Sequence, residues 1–168
     1  IEFLHHDRKK NGYTFKDKLI ARLPDYARRA APLAWLLNLR NRSPLLARLG
    51  EKLFGLAAQR PLPRWHGRHF FNDAPPGATR EQVLAAHRPV VLFVDTFNGH
   101  LESENAIAAV RVLQAAGYAV HAARGEQGEA LCCGRTYLAA GMADEAKARA
   151  RQLLAALFNA APFGIAIG

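Results

Sequence analysis

The chain has 168 residues, 50% of them hydrophobic, and its 23 Lys and Arg against 14 Asp and Glu give a formal charge of +9. This length suits one domain, or one domain with an appendage. No apolar run is long enough to span a bilayer, and no signal-peptide pattern is visible. The only two cysteines are adjacent, which argues against a secreted disulfide framework and favours a cytoplasmic protein.

The positive charge is concentrated in the first half of the chain. Residues 1–88 contain 17 Lys and Arg against 7 Asp and Glu, whereas residues 89–168 contain 6 against 7. This break predicts a basic helical linker segment with a proline-rich strap, followed by an α/β domain. The basic part suits nucleic acid, an anionic membrane surface or an acidic protein partner. The chain starts without Met and ends on an apolar run, so we expect an excised piece of a longer polypeptide.

Short amphipathic helices are predicted in the first part. Residues 1–11 carry charge without periodicity, and we expect them to be disordered or to depend on a partner for their structure. Thr14 can cap a helix over residues 15–23, and Ser43, followed by proline, can cap a helix over residues 45–54. The apolar stripes of these helices must be buried either on the second part or on a neighbouring domain outside this sequence.

A proline-broken, basic and aromatic stretch follows over residues 60–71. Its arginines and rings could clamp phosphates and stack bases. Alternatively, it is an extended strap whose aromatic side chains fill apolar gaps. Because no nucleic-acid motif surrounds it, the strap is the favoured interpretation. Thr79 and Gln82 then form the capping box of a short helix that reaches His87.

Strands and helices alternate after residue 88. Residues 89–94 form a continuous apolar run, as in a strand that is covered on both faces. The further elements are a helix over 104–116, a strand over 118–122, a helix over 145–159 and a strand over 163–167. Strand, helix and strand within about 30 residues define a right-handed βαβ unit. The predicted fold is therefore α/β, a small parallel βαβ-type sheet flanked by helices and preceded by a basic helical segment.

Residues that can carry chemistry follow the first two predicted strands. Asp95 comes directly after the first strand, and Cys132 and Cys133 follow the second. We expect them at one edge of the sheet, because α/β sheets bind ligands beyond the carboxyl ends of their strands. Asp95 can be a ligand, an acid–base group or a helix cap. His100 is expected to be a solvated loop residue, and His121 a structural one.

The adjacent cysteines allow two interpretations. Free cysteine is among the most buried residue types, so both can be small core residues. Alternatively, sulfurs at the start of a helix are stabilised as thiolates by the helix dipole and serve as metal ligands or redox groups. Two sulfurs alone do not complete a four-ligand zinc or iron–sulfur site. The neighbouring glycines do not form G-x-G-x-x-G, so no dinucleotide site is expected.

Four segments of the second part resemble a known family. They are Val94-Asp95-Thr96-Phe97, Ala116-Gly117-Tyr118, Cys132-Cys133-Gly134-Arg135 and Gly141-Met142-Ala143-Asp144-Glu145-Ala146-Lys147. This succession resembles the cysteine-rich CCG domain of heterodisulfide reductases, of the glycolate oxidase and anaerobic glycerol-3-phosphate dehydrogenase iron–sulfur proteins, and of large FAD-linked oxidases. The family pattern is Cys, a spacer, Cys-Cys-Gly, a second spacer and Cys-x-x-Cys. More weakly, residues 12–65 resemble the helical stretch between the ferredoxin module and the CCG domain in fused FAD-linked oxidases.

The resemblance implies the electron-transfer or cluster-binding module of an FAD-linked, iron–sulfur oxidoreductase that oxidises a 2-hydroxy acid. Cys132 and Cys133 would ligate an iron–sulfur cluster or, alternatively, zinc. Asp95, in the place of the family's first cysteine, would supply a further ligand or orient the site. Gly134 would let the backbone approach the cofactor, and Arg135 would balance thiolate charge. The FAD belongs to a domain outside this sequence, and we expect the isolated piece to hold no cofactor, because the family's closing cysteines would begin where the sequence stops.

The implied partners are the ferredoxin-type and FAD domains of the same polypeptide and a respiratory electron acceptor. Peripheral membrane association is a further expectation, and nucleic acid is not expected. The alternative function is a non-catalytic docking module, in which the cysteines are structural and the basic helices of residues 12–54 bind neighbouring domains. A nucleic-acid binder ranks third and would need an affinity that falls steeply with salt.

Overall fold

The computed structural model describes residues 2–160 and 166–167. Its helices are α1 (Glu2–Asn11), α2 (Phe15–Ala21), α3 (Leu23–Ala30), α4 (Ala34–Arg42), α5 (Pro44–Phe54), α6 (Phe70–Asp73), α7 (Arg80–Ala85), α8 (Thr96–His100), α9 (Ser103–Ala115), α10 (Arg135–Ala139) and α11 (Ala143–Ala160). A 3₁₀ turn, Ala31–Leu33, separates α3 from α4, and the strands are β1 (Pro89–Leu92), β2 (Ala119–Ala122) and β3 (Ala166–Ile167). Within this part of the chain, no helix combines the length and the apolar character needed to cross a membrane.

The strands form one parallel sheet in the order β2-β1-β3, with β1 in the centre. The register pairs Leu92 with Ala122 on one side and with Ile167 on the other. The predicted fold class, an α/β chain with a small parallel sheet flanked by helices, is confirmed. The predicted third strand over residues 163–167 is present as β3, and residues 163–165 lie outside the described part of the chain.

Both faces of the sheet are covered, which explains the continuous apolar run of β1. Successive side chains of a strand point to opposite faces. Val90, Leu92 and Val94 share one cluster with α9, whereas Val91 and Phe93 share another with α7 and α11. The crossovers on either side of β1 therefore place α9 and α11 on opposite faces of the sheet. Where the connections next to one strand run to opposite faces of such a sheet, a crevice forms beyond the carboxyl end of that strand.

Helices α2, α5 and α7 begin at the caps that the sequence predicts. The Thr14 Oγ1 accepts the Asp17 N–H at 3.1 Å, and the Asp17 carboxylate accepts the Thr14 N–H at 3.0 Å. Thr79 and Gln82 form the same reciprocal box at α7. The Ser43 side chain accepts an N–H from the first turn of α5. These contacts satisfy N–H groups that a helix start leaves without an intrahelical partner, and the predicted caps are confirmed.

Of the two expectations for residues 1–11, disorder is wrong over residues 2–11, which form α1. Polar contacts with the second part hold this helix. His5 Nδ1 donates to the Gly141 carbonyl at 2.8 Å, and Lys9 forms an ion pair with Asp144 at 3.3 Å. His5 and Gly141 are 136 positions apart, so the pattern within residues 1–11 carries no sign of this contact.

The remaining helices of the first part divide into two groups. α2 and α3 pack on the second part, and Ala21 is fully buried in a cluster with Tyr137 and Met142. By contrast, α4 and α5 form a helical hairpin with an exposed apolar face, which consists of Trp35, Leu36, Leu45, Leu49 and Leu53. The sequence left open whether the apolar stripes are buried on the second part of the chain or on a neighbouring domain. For α2 and α3, they are buried on the second part.

Residues 60–71 pack as a strap. Asn38 Oδ1 accepts the Trp65 N–H at 2.9 Å, and Asn38 Nδ2 donates to the Trp65 carbonyl at 2.8 Å. The Trp65 ring stacks on Tyr26 with 6.3 Å between centroids. Phe70 is 1% exposed and belongs to the same cluster as β1 and α9. These aromatic side chains fill gaps within the protein, in agreement with the favoured interpretation.

Candidate functional site

The cysteine pair lies beyond the carboxyl end of β2. Cys132 and Cys133 belong to the segment that joins β2 to α10, and Asp95 belongs to the segment that joins β1 to α8. Because β1 and β2 are parallel neighbours, both segments leave the sheet at the same edge. The expectation that Asp95 and the two cysteines themselves come together at this edge stays a prediction.

The two thiols have different surroundings. Both are free of disulfide bonds, and Cys132 is 7% exposed while Cys133 is exposed. The Cys132 sulfur accepts the Gly134 N–H at 3.3 Å. Backbone donors to sulfur are among the contacts that orient and tune cysteines bound to metals or clusters. The Cys133 thiol is therefore exposed to solvent, whereas the Cys132 thiol is buried and held by a backbone hydrogen bond of its own segment.

Gly134 places the cysteines against the last long helix. Its φ of +84° lies in the left-handed region, and a Cβ built there would stand 2.5 Å from the carbonyl oxygen of Ala146 in α11. Only glycine allows this approach, since both the backbone angle and the space exclude a side chain. The close contact at Gly134 is thus with α11, and its role beside a cofactor stays a prediction, as does the charge-balancing role of the exposed Arg135.

The helix dipole contributes less at the cysteines than the sequence argument assumes. α10 contains five residues, so few peptide dipoles add up along its axis. In place of a strong helix dipole, the structure shows the Gly134 N–H as the local hydrogen-bond donor to the Cys132 sulfur.

A polar network ties α3, α10 and α11 together below the cysteines. Asp25 accepts the Tyr137 hydroxyl at 2.6 Å and the Arg149 guanidinium at 2.5 Å. Burial, and then the hydrogen bond to Asp25, raise the pKa of Tyr137 to about 12. Tyr137 therefore stays protonated at neutral pH and donates to Asp25. This hydrogen bond holds α10 against α3 in the first part of the chain.

Asp95 acts as the N-cap of α8. Its Oδ1 accepts the Asn98 N–H at 2.8 Å, and its Oδ2 accepts the Asn98 side-chain amide at 3.2 Å. Capping is one of the alternative roles that the sequence analysis gives for Asp95, next to the ligand role. Both oxygens have a protein partner in this arrangement, and the ligand role of Asp95 stays a prediction.

The described residues do not assemble a complete metal site. Within residues 2–160, no group of three or more His, Cys, Asp or Glu side chains is placed to hold a metal ion. The thiol donors among the described residues are the two cysteine sulfurs. With Asp95, the predicted ligands among the described residues number three, one fewer than a four-ligand iron–sulfur or zinc site requires.

The expectation that His100 is a solvated loop residue is wrong. It is the last residue of α8, is 4% exposed, and its Nδ1 has no hydrogen-bond partner among the described residues. The His69 ring lies edge-on to it with 5.4 Å between centroids. Burial, and then the nearby charges of His69 and Arg28, lower the pKa of His100 to about 4. His100 is therefore a neutral, buried imidazole at physiological pH.

The prediction that His121 is structural is confirmed. Its Nδ1 donates to the Ala78 carbonyl at 2.9 Å and so fastens the segment before α7 to β2.

Sequence reasoning did not find the basic cleft that lies at the same sheet edge. Arg28 from α3, His69 from the strap, His100 from α8 and Arg124 after β2 line it together. These residues are spread over about 100 positions of the chain, and none belongs to a recognisable local motif. The concentration of arginine in the first part was the one available signal.

Comparisons of the chain with protein-family models, with curated proteins and with solved structures gave no significant match.

Proposed function

We propose that the chain is the electron-transfer or cluster-binding module of an FAD-linked, iron–sulfur oxidoreductase that oxidises a 2-hydroxy acid. The observation that carries this proposal is the Cys132-Cys133-Gly134-Arg135 segment at the carboxyl edge of a parallel sheet. There one thiol faces solvent and the other accepts a backbone N–H. Two purely structural cysteines would both be expected in the core, whereas an exposed thiol is open to a metal, a cluster or a reagent.

Each residue of the segment has a distinct role in this proposal. Cys132 and Cys133 supply two thiolate ligands to an iron–sulfur cluster, with zinc as the alternative metal. Gly134 holds the pair against α11 and donates its N–H to Cys132. Arg135, which is exposed, offsets the negative charge of the thiolates. A cluster supplies one-electron transfer when bound, and the hydride chemistry on the hydroxy acid belongs to the flavin domain.

The proposal extends to partners that would complete the protein. The remaining ligands come from the closing Cys-x-x-Cys of the family pattern, and electrons arrive from the ferredoxin-type and FAD domains of the same polypeptide. A cytoplasmic location, with peripheral attachment to a membrane that holds the respiratory acceptor, follows from the same proposal.

The test is anaerobic reconstitution of the full-length polypeptide with iron and sulfide. In a Cys132→Ser/Cys133→Ser double variant we expect the iron that is assigned to this module to be lost. We also expect the rate of acceptor reduction to fall by at least tenfold, while flavin reduction by the hydroxy acid is retained. Unchanged iron content and unchanged acceptor reduction would remove the proposal.

A docking module is the second candidate, and the exposed apolar face of α4 and α5 favours it. Trp35 is 70% exposed and Leu45 is 76% exposed. Several large apolar side chains left exposed on one pair of packed helices are typical of an interaction site. The occupant we propose is the ferredoxin-type domain, because residues 12–65 resemble the stretch next to it in the fused oxidases. If docking were the whole function, the cysteine double variant would keep its iron, and a Leu45→Glu/Leu49→Glu variant would lose acceptor reduction instead.

A further inference from the structure

A basic cleft of about 900 Å³ opens at the carboxyl edge of the sheet. Its walls come from α3, from the strap, from the end of α8, from the loop after β2 and from α11. The cationic and imidazole side chains that line it are those of Arg28, Arg29, His69, His100, Arg124 and Arg149. Its volume falls in the range of small-molecule sites, and it lies where parallel sheets bind their ligands.

The carboxylates of the cleft already have partners. Asp25 accepts from Arg149 and from the Tyr137 hydroxyl. Glu129 accepts from the Gln152 side chain at 2.8 Å and from the Gln127 N–H at 2.9 Å. These contacts leave the local positive charge only partly balanced.

Three arginines of the cleft lack a balancing carboxylate. Across residues 2–160, the ion pairs that the structure shows do not include Arg28, Arg29 or Arg124. Arg124 instead lies over the Phe71 ring, 4.0 Å from its centroid, and donates to the Gly128 carbonyl at 3.3 Å. The protein thus holds the Arg124 guanidinium in place. Its side chain therefore loses less conformational entropy when a ligand binds.

A second, independent feature points to a ligand. His100 is more than nine-tenths buried and lines the cleft, yet its Nδ1 has no partner within the described part of the chain. The Nδ1 of His69 is buried and lacks a partner in the same way. Buried polar atoms in proteins are nearly always hydrogen-bonded, and an exception calls for an explanation such as an absent ligand or water.

Burial and the neighbouring positive charges both act on the pKa values of the groups that line the cleft. Burial is the first cause that lowers the pKa values of His69, His100 and Arg124, and the charge of Arg28 contributes in all three cases. Asp73 acts in the opposite direction on His69, but it is also paired with Arg68 at 2.7 Å. A bound anion would relieve this repulsion.

We propose that the cleft binds a small dianion that carries a phosphate group or two carboxylates, held by Arg28 and Arg124 above the imidazole of His100. Planar guanidinium groups bind phosphate and carboxylate oxygens through paired hydrogen bonds, which explains the arrangement of two arginines without carboxylate partners. The site does not include the cysteines, so it stands whether or not they ligate a cluster.

The experiment measures binding of inorganic phosphate and of succinate to the chain at fixed ionic strength set with chloride. Isothermal titration and the shift in melting temperature are the two readouts. The test variant is Arg28→Ala/Arg124→Ala, with Arg28→Gln as a milder second variant. The matched control is Arg111→Ala/Arg151→Ala, which removes the same charge from exposed positions of α9 and α11.

We expect saturable binding of at least one probe to the parent chain and to the control. We expect at least tenfold weaker binding to Arg28→Ala/Arg124→Ala and a smaller loss for Arg28→Gln. Binding of phosphate alone assigns a phosphate ligand, and binding of succinate alone assigns a dicarboxylate. No saturable binding of either probe would overturn the proposal. Equal weakening of binding in the control variant would also overturn it, because general charge attraction does not distinguish the two pairs of arginines.

Discussion

A Gly134→Ala variant is expected to lose about 3 to 5 kcal/mol of unfolding free energy. Two costs add at this position. The φ of +84° is unfavourable for any residue with a Cβ, and the new methyl group would stand 2.5 Å from the Ala146 oxygen and 3.0 Å from its Cα. Both atoms belong to the backbone of α11, which cannot move aside without displacing the helix. Urea unfolding followed by circular dichroism measures the loss.

Gly128→Ala is the matched control for this variant. Gly128 has a φ of +77°, but nothing lies within 4 Å of a Cβ built there. The control therefore carries the backbone cost alone, about 1 kcal/mol. If both variants lose the same free energy, α11 does not pack on Gly134 as described, and the arrangement of the cysteine segment is different.

The second large effect is a loss of stability at acidic pH that depends on His100. Burial lowers the pKa of His100 in the folded protein from the usual 6.5 to about 4. Between these values the unfolded chain takes up a proton that the folded protein does not. Stability therefore rises with pH across this window and is lost as the pH falls from 6.5 towards 4. The loss amounts to about 3 kcal/mol, since one pKa unit corresponds to about 1.4 kcal/mol.

A His100→Leu variant isolates this contribution from the carboxylates that titrate near pH 4. Unfolding free energies are measured from pH 7 to pH 4 in buffers without phosphate or carboxylate. The difference between the parent chain and the variant should change by about 3 kcal/mol over this range. His87→Gln, at an exposed position, should follow the parent curve. A pH-independent difference between parent and His100→Leu would show that His100 is not buried beside His69 and Arg28.

Local patterns predicted the parts of the fold whose determinants are close in sequence. The apolar run of β1 and the caps at Thr14, Ser43 and Thr79 each act within a few residues, so their elements could be assigned from the sequence. The order of strand and helix then gave the parallel sheet and its carboxyl edge. Helix α1 was missed because its partners, Gly141 and Asp144, are more than 130 positions away.

The candidate site was predictable in part for the same reason. The position of Cys132 and Cys133 beyond β2 follows from topology alone. The burial of His100 does not, because it depends on His69 and Arg28, which arrive from the strap and from α3. The basic cleft was missed as well, since its arginines lie on separate elements and join only in the folded chain.

The most direct measurement of the central claim is the rate at which each thiol reacts with iodoacetamide before and after reconstitution of the full-length polypeptide with iron and sulfide. Peptide mass spectrometry resolves the two positions in Cys132→Ser and Cys133→Ser single variants. Before reconstitution, Cys133 should react much faster than Cys132, because Cys133 is exposed and Cys132 is 7% exposed. After reconstitution, both cysteines of the parent protein should be protected. A Cys133 that is labelled at the same rate in both states would contradict its role as a ligand.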